Sequence, residues 1–219
     1  MLVKYCMKRE FYTLDVNDPV RRAVQLLKKH RVCILPVLDG QKLEGVVTER
    51  GLRKALGLER AFEKLEQWSA VDPETRVSEV MTRDPITISP DSSLEDVVRV
   101  LIEAKIPGTP VVDAQGAVVG IITQTDLYRV LLATSGFMEK GAQFAFELED
   151  RPGSLKEVTD IIRKHGGRIA CILTSYETAP PGFRHAYVRV FALEADKVSD
   201  LSKELSSKAK LIMGAPAQV

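Results

Sequence analysis

A threonine and an aspartate three residues apart are the side chains best placed for ligand chemistry. Thr123 ends the segment Gly120-Ile121-Ile122-Thr123, and Asp126 stands where a helix is predicted to begin. A carboxylate there can accept hydrogen bonds from both hydroxyls of a ribose diol, while the Thr123 hydroxyl and the free N–H groups of the helix start can hold nearby polar ligand atoms. The structural alternative is that Asp126 only caps its helix.

A short segment before these residues has the composition of a pocket for a flat ring. It runs from Lys105 to Pro110 and supplies apolar side chains together with backbone that glycine and proline leave exposed. These properties suit the faces and edges of a purine. The members of interest are Ile106, Pro107, Gly108, Thr109 and Pro110.

The first part of the chain, about residues 1–135, contains this arrangement twice. A shift of 74 positions lays Met7 on Met81, and after one inserted residue Thr48 aligns with Thr123. A repeat of this size is one supersecondary unit that covers its apolar face with its own copy. Two such units create two equivalent clefts, which favours a small-molecule binding module over a catalyst.

Hydrophobic periodicity predicts the same elements in both copies, namely a strand, a helix, two strands and a second helix. In the first copy, 11–16 is predicted as a strand, and Asp18-Pro19 opens the helix with Asp18 as its N-cap. In the second copy, Ser93 and Asp96 have the spacing of a capping box. The helix face of the second copy consists of Leu94, Val97, Val98 and Leu101.

The pattern changes after residue 141. Alternating apolar and polar residues predict a half-buried strand near 144–148, followed by a turn at 150–153 and a helix that ends at Gly166-Gly167. Two strands joined by a proline-rich turn, a last helix and a short strand complete the order β-α-β-β-α-β. This order predicts a ferredoxin-like split βαβ.

These elements predict four parts of the chain. The first repeat with a trailing inter-repeat helix occupies 1–68, the second repeat 69–135, a linker 136–141 and the C-terminal domain 142–219. The trailing helix is predicted from apolar residues at helical spacing between Leu58 and Trp68. The predicted fold class is therefore α/β (α+β) with two different halves.

Composition argues against several classes of protein. The 219 residues include 31 basic and 30 acidic side chains, and no basic block suggests a nucleic acid partner. Three distant cysteines suit a reducing cytoplasm, and neither a signal peptide nor a membrane span is predicted. Because no nucleophile–base pair, phosphate loop or metal motif is apparent, no catalytic residue, metal or catalytic cofactor is expected.

The doubled unit resembles a tandem pair of CBS domains, called a Bateman module, over about residues 1–133. The resemblance rests on Met7 and Met81, on the Pro36-Val37 and Pro110-Val111 strands, and on the Gly-h-h-Thr-x-x-(Asp)-Leu segments, where h is apolar. Members of this family bind adenosine-containing ligands such as AMP, ADP, ATP or S-adenosylmethionine between the repeats. The resemblance implies that Thr123 and Asp126 hold the ribose. It implies a base pocket lined by Thr87 and by Ile106, Pro107, Gly108, Thr109 and Pro110.

The first copy departs from this pattern because Gly51 stands where the second copy has Asp126. The ribose carboxylate is missing there, so we expect this cleft to be empty, weak or differently selective. Arg50, Arg53 and Arg129 are candidates for phosphate contacts, although for each one alone an ordinary solvated helix charge is the favoured explanation. The residues assigned to this second, weaker cleft are Thr13, Cys33, Leu35, Pro36 and Thr48.

The segment from about 143 to 213 resembles an ACT domain, a small regulatory module that often binds amino acids at the interface of paired domains. The resemblance rests on Glu149-Asp150-Arg151-Pro152-Gly153-Ser154-Leu155. An amino acid would contact Asp150, Pro152, Gly153, Ser154 and Leu155; alternatively, the domain only pairs subunits. Two CBS repeats followed by an ACT domain are similar to bacterial CBS–ACT proteins of the acetoin-utilisation type.

Three functions are weighed on this basis. The leading prediction is a regulatory sensor that binds an adenosine compound, forms a homodimer and acts on an effector protein that the sequence does not identify. The alternative is a structural adaptor in which ligand binding is weak or lost. The third, an enzyme, has no catalytic residues in its favour.

Overall fold

The computed structural model describes residues 1–55, 75–137, 141–191, 193 and 195–216. The predicted helix at 58–68 and half of the predicted linker, residues 138–140, lie outside these residues. The chain divides into two compact units, Met1–Tyr128 and Arg129–Val219. Among the helices in the described ranges, none is both long and apolar enough to cross a membrane.

The first unit contains both repeats. After a 3-10 turn at Val3–Tyr5, the first repeat consists of β1 (Leu14–Asp15), α1 (Val20–His30), β2 (Ile34–Asp39), β3 (Lys42–Thr48) and α2 (Glu49–Ala55). The second consists of α3 (Val77–Val80), β4 (Thr82–Arg83), α4 (Leu94–Glu103), β5 (Gly108–Val112), β6 (Val118–Thr123) and α5 (Gln124–Thr134). Helix α5 continues into the second unit.

Helix α1 begins one residue later than its sequence predicts. Its N-cap is Pro19, not Asp18. The Asp18 carboxylate instead accepts a hydrogen bond from the backbone N–H of Asp15 at 2.8 Å and pairs with Arg22 at 3.3 Å. It therefore closes the turn before the helix, and the predicted strand at 11–16 is reduced to the two residues of β1.

Helix α4 begins at the predicted capping box. The Ser93 hydroxyl accepts from the backbone N–H of Asp96 at 3.1 Å, and the Asp96 carboxylate accepts from the backbone N–H of Ser93 at 3.3 Å. The hydrogen bonds from Ser93 hold the pKa of Asp96 below its usual value. The predicted apolar face is wrong at Val98, which is 40% exposed, because only a narrower stripe containing Val97 and Leu101 is buried against the strands.

The segments that precede each repeat are exchanged. Lys8 and Ile121 form two backbone hydrogen bonds, of 2.9 and 3.0 Å, so the N-terminal segment pairs with the second repeat. Correspondingly, β4 pairs with β3 of the first repeat. Val3, at the start of the first repeat, is fully buried in the core of the second repeat. Val77, at the start of the second repeat, is fully buried in the core of the first. The two repeats are therefore interlocked, which the sequence alignment alone does not predict.

The second unit has the predicted β-α-β-β-α-β order. Its sheet has the antiparallel order β10-β7-β9-β8, which is that of a ferredoxin-like fold. Both helices cover one face of this sheet, and their core includes Phe144, Phe146, Ile162 and Leu201. The elements are β7 (Gly141–Glu149), α6 (Ser154–Lys164), β8 (Arg168–Ser175), β9 (Phe183–Phe191), α7 (Ala195–Ser206) and β10 (Lys210–Pro216).

Candidate functional site

Thr123 and Asp126 meet at the junction of β6 and α5. Asp126 is 4% exposed, and its Oδ2 accepts hydrogen bonds from the backbone N–H of Thr123 at 3.0 Å and from the Thr123 hydroxyl. Since α5 begins at Gln124, Thr123 occupies the N-cap and Asp126 the third helical position, as in a capping box. The other carboxylate oxygen, Oδ1, lies 3.4 Å from Nζ of Lys8, in the exchanged N-terminal segment.

The predicted base-pocket segment lies against this helix start. The backbone N–H of Gln124 donates to the carbonyl of Pro107 at 3.0 Å, and Gly108 pairs with Thr123. A Cβ on Gly108 would lie 2.8 Å from the Ile122 carbonyl oxygen, so glycine is required for this approach. The structure therefore brings residues 106–108 next to Thr123.

Three other predicted residues of this cleft have different surroundings. Thr109 is fully buried and its hydroxyl donates to the carbonyl of Ile86, so it fixes the chain next to Thr87, which is exposed. Pro110 is buried within β5. Thr109 and Pro110 are therefore both buried in the interior of the second repeat, and their predicted place in the lining of a base pocket is not what the structure has.

A cavity of about 620 Å³ is lined mainly by the first repeat, where the sequence predicted the weaker cleft, and Pro107 of the second repeat also lines it. Cys33 and Thr48 line it, whereas Leu35 is fully buried in the core and Thr13 is half-buried. Cys33 is exposed and precedes the buried stretch that begins at Ile34. The lining comprises Val24, Leu27, Lys28, Arg31, Val32, Cys33, Thr48, Glu49, Arg50, Arg53 and Pro107.

Positive charge dominates this cavity. The described lining residues include four cationic side chains and one carboxylate, that of Glu49. The cationic residues are Lys28, Arg31, Arg50 and Arg53. Arg53 pairs with Glu49 at 2.9 Å, one turn apart on α2. Guanidinium groups are well suited to phosphate because their N–H donors match its oxygens. Lys28 and Arg31 were not singled out in the sequence, because only the end of α1 folding next to α2 brings them to this cavity.

The two repeats share a threonine at a helix start but differ at the position of Asp126, where the first repeat has Gly51. The backbone N–H of Gly51 donates to the Thr48 hydroxyl at 3.0 Å, as the N–H of Asp126 does to the Thr123 hydroxyl at 3.4 Å. A Cβ on Gly51 would lie 3.1 Å from the Thr48 hydroxyl oxygen, so a side chain fits here only if that hydroxyl shifts by a few tenths of an ångström. The first repeat therefore retains the threonine cap and lacks only the carboxylate.

The loop before α6 carries a polar network in the second unit. The Arg184 guanidinium donates to the Ser154 hydroxyl at 3.2 Å and lies 4.0 Å from Asp150. The Tyr176 hydroxyl also donates to Asp150, at 3.2 Å. Arg184 and Tyr176 were missed in the sequence because they come from β9 and from the end of β8. Pro152 is exposed, while Leu155 packs against the core.

Gly153 adopts a left-handed conformation, with φ of +90°, as the N-cap of α6. Gly153→Ala is expected to lower the free energy of unfolding by about 1–2 kcal/mol, because a Cβ is disfavoured at positive φ. Urea denaturation measures this change. Since a Cβ would meet nothing within 4 Å, Gly153→Asn serves as the control and should cost less than alanine. Equal stability of the alanine variant and the wild type would contradict this reason.

Similar solved structures match the doubled part of the chain. The CBS domain pair of protein MJ0100, in complex with 5'-methylthioadenosine and S-adenosyl-L-methionine, has a TM-score of 0.51 and 30% identity, covering 61% of this chain and 97% of that one. CBSX2 of Arabidopsis thaliana, in complex with AMP, has a TM-score of 0.51 and 27% identity, covering 60% and 97%. A Vibrio cholerae protein named for acetoin utilization (AcuB) has a TM-score of 0.51 and 28% identity, covering 61% and 91%.

Sequence comparison gives the same result. The inosine-5'-monophosphate dehydrogenase of Korarchaeum cryptofilum is 29% identical over 120 residues, which are 55% of this chain and only 22% of that enzyme. The CBS domain-containing protein YhcV of Bacillus subtilis is 32% identical over 125 residues, 57% of this chain and 81% of YhcV. The CBS domain model matches residues 3–58 and 77–133. The chain therefore belongs to the CBS domain family.

Proposed function

We propose that this chain is a cytoplasmic, non-catalytic regulatory protein whose CBS pair binds an adenosine-containing ligand, either AMP, ADP, ATP or S-adenosylmethionine. The observation that carries the proposal is the Thr123–Asp126 pair at a helix start beside residues 106–108. Its support comes from structural neighbours that were solved with AMP, 5'-methylthioadenosine and S-adenosyl-L-methionine.

The two clefts have different parts in this proposal. In the second repeat, Asp126 and Thr123 hold the ribose, and residues 106–108 with Thr87 surround the base. Lys8 lies within 3.4 Å of Asp126 and is free to reorient toward a ligand phosphate, because its side chain is 46% exposed. In the first repeat, the cationic cavity takes phosphate groups, so this cleft selects for them and depends less on a ribose contact.

The C-terminal unit acts in this proposal as an ACT domain that pairs two subunits into a homodimer. Its ferredoxin-like topology and its Asp150–Arg184–Ser154 network support this assignment. An amino acid would place its ammonium at Asp150 and its carboxylate at Arg184 and the start of α6. The nucleotide regulates an effector protein only if it binds one arrangement of the two units better than another.

One observation favours the adaptor alternative. Both oxygens of the Asp126 carboxylate already have partners, Thr123 for Oδ2 and Lys8 for Oδ1. In the adaptor alternative, this carboxylate only starts α5 and holds the N-terminal segment. In that case the CBS pair would build an interface and bind no nucleotide.

Calorimetric titration of the full chain tests the proposed function. AMP, ADP, ATP, S-adenosylmethionine and 5'-methylthioadenosine are each titrated, with GMP as the control for base selectivity. We expect at least one adenosine compound to bind with saturable heat, and those with more phosphates to bind the first cleft more tightly. If no adenosine compound binds, the sensor proposal fails and the adaptor role replaces it.

A further inference from the structure

Arg189 is a buried arginine for which the CBS and ACT assignments provide no role. It lies on β9 between Val188 and Val190, which are fully buried under the helices. Because successive side chains of a strand alternate between faces, Arg189 is on the opposite face of the sheet. It is nevertheless only 6% exposed.

Among the residues that the structure describes, no carboxylate pairs with the Arg189 guanidinium. Its Nε and Nη1 atoms are buried and have no hydrogen-bond partner within the part of the chain that the structure describes. Its nearest aromatic contact is Phe137, whose ring centroid lies 5.0 Å from Cζ. A cation–π contact of this kind leaves the in-plane N–H donors unsatisfied. Burying such a charge without an anion is strongly unfavourable.

Arg189 faces a cavity of about 280 Å³ within the second unit. The walls are mainly apolar, from Leu131, Phe137 and Leu173, and the polar lining groups include Gln143 and Tyr187. Gln143 pairs directly with Arg189 across the strands. Among the described residues, the lining includes neither aspartate nor glutamate that could pair with an ammonium group.

We propose that this cavity binds a small organic carboxylate with an apolar body and no amino group. The carboxylate accepts hydrogen bonds from Arg189, and the apolar body lies against Phe137 and Leu173. The volume is just below the usual range for ligand pockets, roughly 300–1,000 Å³, which limits the ligand to a small acid. This site is on the sheet face opposite α6 and α7, whereas the proposed amino-acid loop is at the start of α6. Neither site depends on nucleotide binding.

Three compounds with one carbon skeleton test the proposal by calorimetry and thermal unfolding of the full chain. 4-Methylpentanoate carries only the carboxylate, leucine adds an ammonium group, and 4-methylpentanamide has no charge. We expect 4-methylpentanoate to bind and to raise the unfolding midpoint with concentration, leucine to bind more weakly at this site, and the amide not to bind.

Two variants make the test specific. Arg189→Met keeps the apolar volume and should lower the affinity for 4-methylpentanoate by about 10- to 100-fold, the value of charge-assisted hydrogen bonds. It should not destabilise the unliganded protein, since it removes an uncompensated buried charge. Arg168→Met is the matched control, because Arg168 is an exposed arginine on the neighbouring strand β8; its affinity should equal that of the wild type.

Several outcomes would overturn the proposal. Equal affinity of the wild type and Arg189→Met for the acid would remove Arg189 from the site. Absence of binding by 4-methylpentanoate, together with a change in sedimentation of Arg189→Met, would assign the arginine to a contact between copies of the chain. Titration of the same proteins with adenosine compounds tests the proposed function separately, so failure of the carboxylate proposal does not affect it.

Discussion

Gly120→Ala is expected to lower the free energy of unfolding by about 3 kcal/mol and to release the N-terminal segment from the second repeat. A Cβ on Gly120 would lie 2.8 Å from the backbone oxygen of Lys8 and 2.8 Å from the Met7 sulfur. The sulfur is on a flexible side chain and can move. The Lys8 carbonyl, however, accepts from the Ile121 N–H, and the Lys8 N–H donates to the Ile121 carbonyl, so two hydrogen bonds fix this residue. The clash can therefore be relieved only by breaking those bonds.

The repeat provides a matched comparison for this variant. A Cβ on Gly45 would lie 2.7 Å from the Met81 sulfur and 2.8 Å from the Thr82 carbonyl oxygen. Gly45→Ala should therefore cost a similar free energy, but it should release β4 instead of the N-terminal segment. Urea denaturation measures the stability of each variant, and limited trypsin digestion with mass spectrometry identifies the segment that is released.

The position of tryptic cleavage distinguishes the two variants more clearly than their free energies of unfolding do. Gly120→Ala should become cleavable after Lys8 and Arg9, and Gly45→Ala after Arg83. The addition of Met7→Ala should restore only part of the stability, because it relieves the contact with sulfur and leaves the contact with the carbonyl. Wild-type urea midpoints for both glycine variants would mean that the exchanged segments do not need this close approach.

This exchange also explains how far the sequence predicts the fold. The equivalence of Met7 with Met81 is visible in the alignment and predicts that both have the same role. It does not reveal that each segment packs on the other copy, because pairing partners depend on how the chain closes and not on local propensity. The cap of helix α4 was predicted correctly because Ser93 and Asp96 are close in sequence. Asp18 was predicted to cap α1, but its carboxylate accepts from the backbone N–H of Asp15 instead.

The candidate site likewise has features that the sequence predicts and features that it does not. The position of Asp126 at a helix start follows from short-range spacing and was predicted from sequence. The close approach of Gly108 to Thr123 was not predicted, because it depends on the pairing of β5 with β6. The cavity in the first repeat was not, because it needs the last turn of α1 to lie near α2. Buried Arg189 was equally invisible, since an arginine in an apolar strand gives no indication of which sheet face it occupies or what opposes it.

The strongest expected effect on binding comes from Asp126→Asn, which should lower the affinity for the adenosine ligand of the second cleft by about 10- to 100-fold. A carboxylate can accept from both ribose hydroxyls, whereas an amide has one acceptor oxygen, which the backbone N–H of Thr123 already uses. Asparagine preserves that cap, so the free energy of unfolding should change by less than about 1 kcal/mol. Calorimetric titration and urea denaturation of the same sample separate the two effects.

Gly51→Asp is the reciprocal change and should give the first cleft the carboxylate that it lacks. Its Cβ would lie 3.1 Å from the Thr48 hydroxyl oxygen, so the new side chain can reproduce the Thr123–Asp126 cap after a small shift. We expect tighter binding of an adenosine ligand by about tenfold, the value of one additional hydrogen bond to a charged group. The same variant should also be slightly more stable, because it adds a helix cap.

If Asp126→Asn leaves nucleotide affinity unchanged and Gly51→Asp raises only stability, both aspartates act as helix caps alone. The CBS pair would then be an adaptor that does not sense a nucleotide through its ribose.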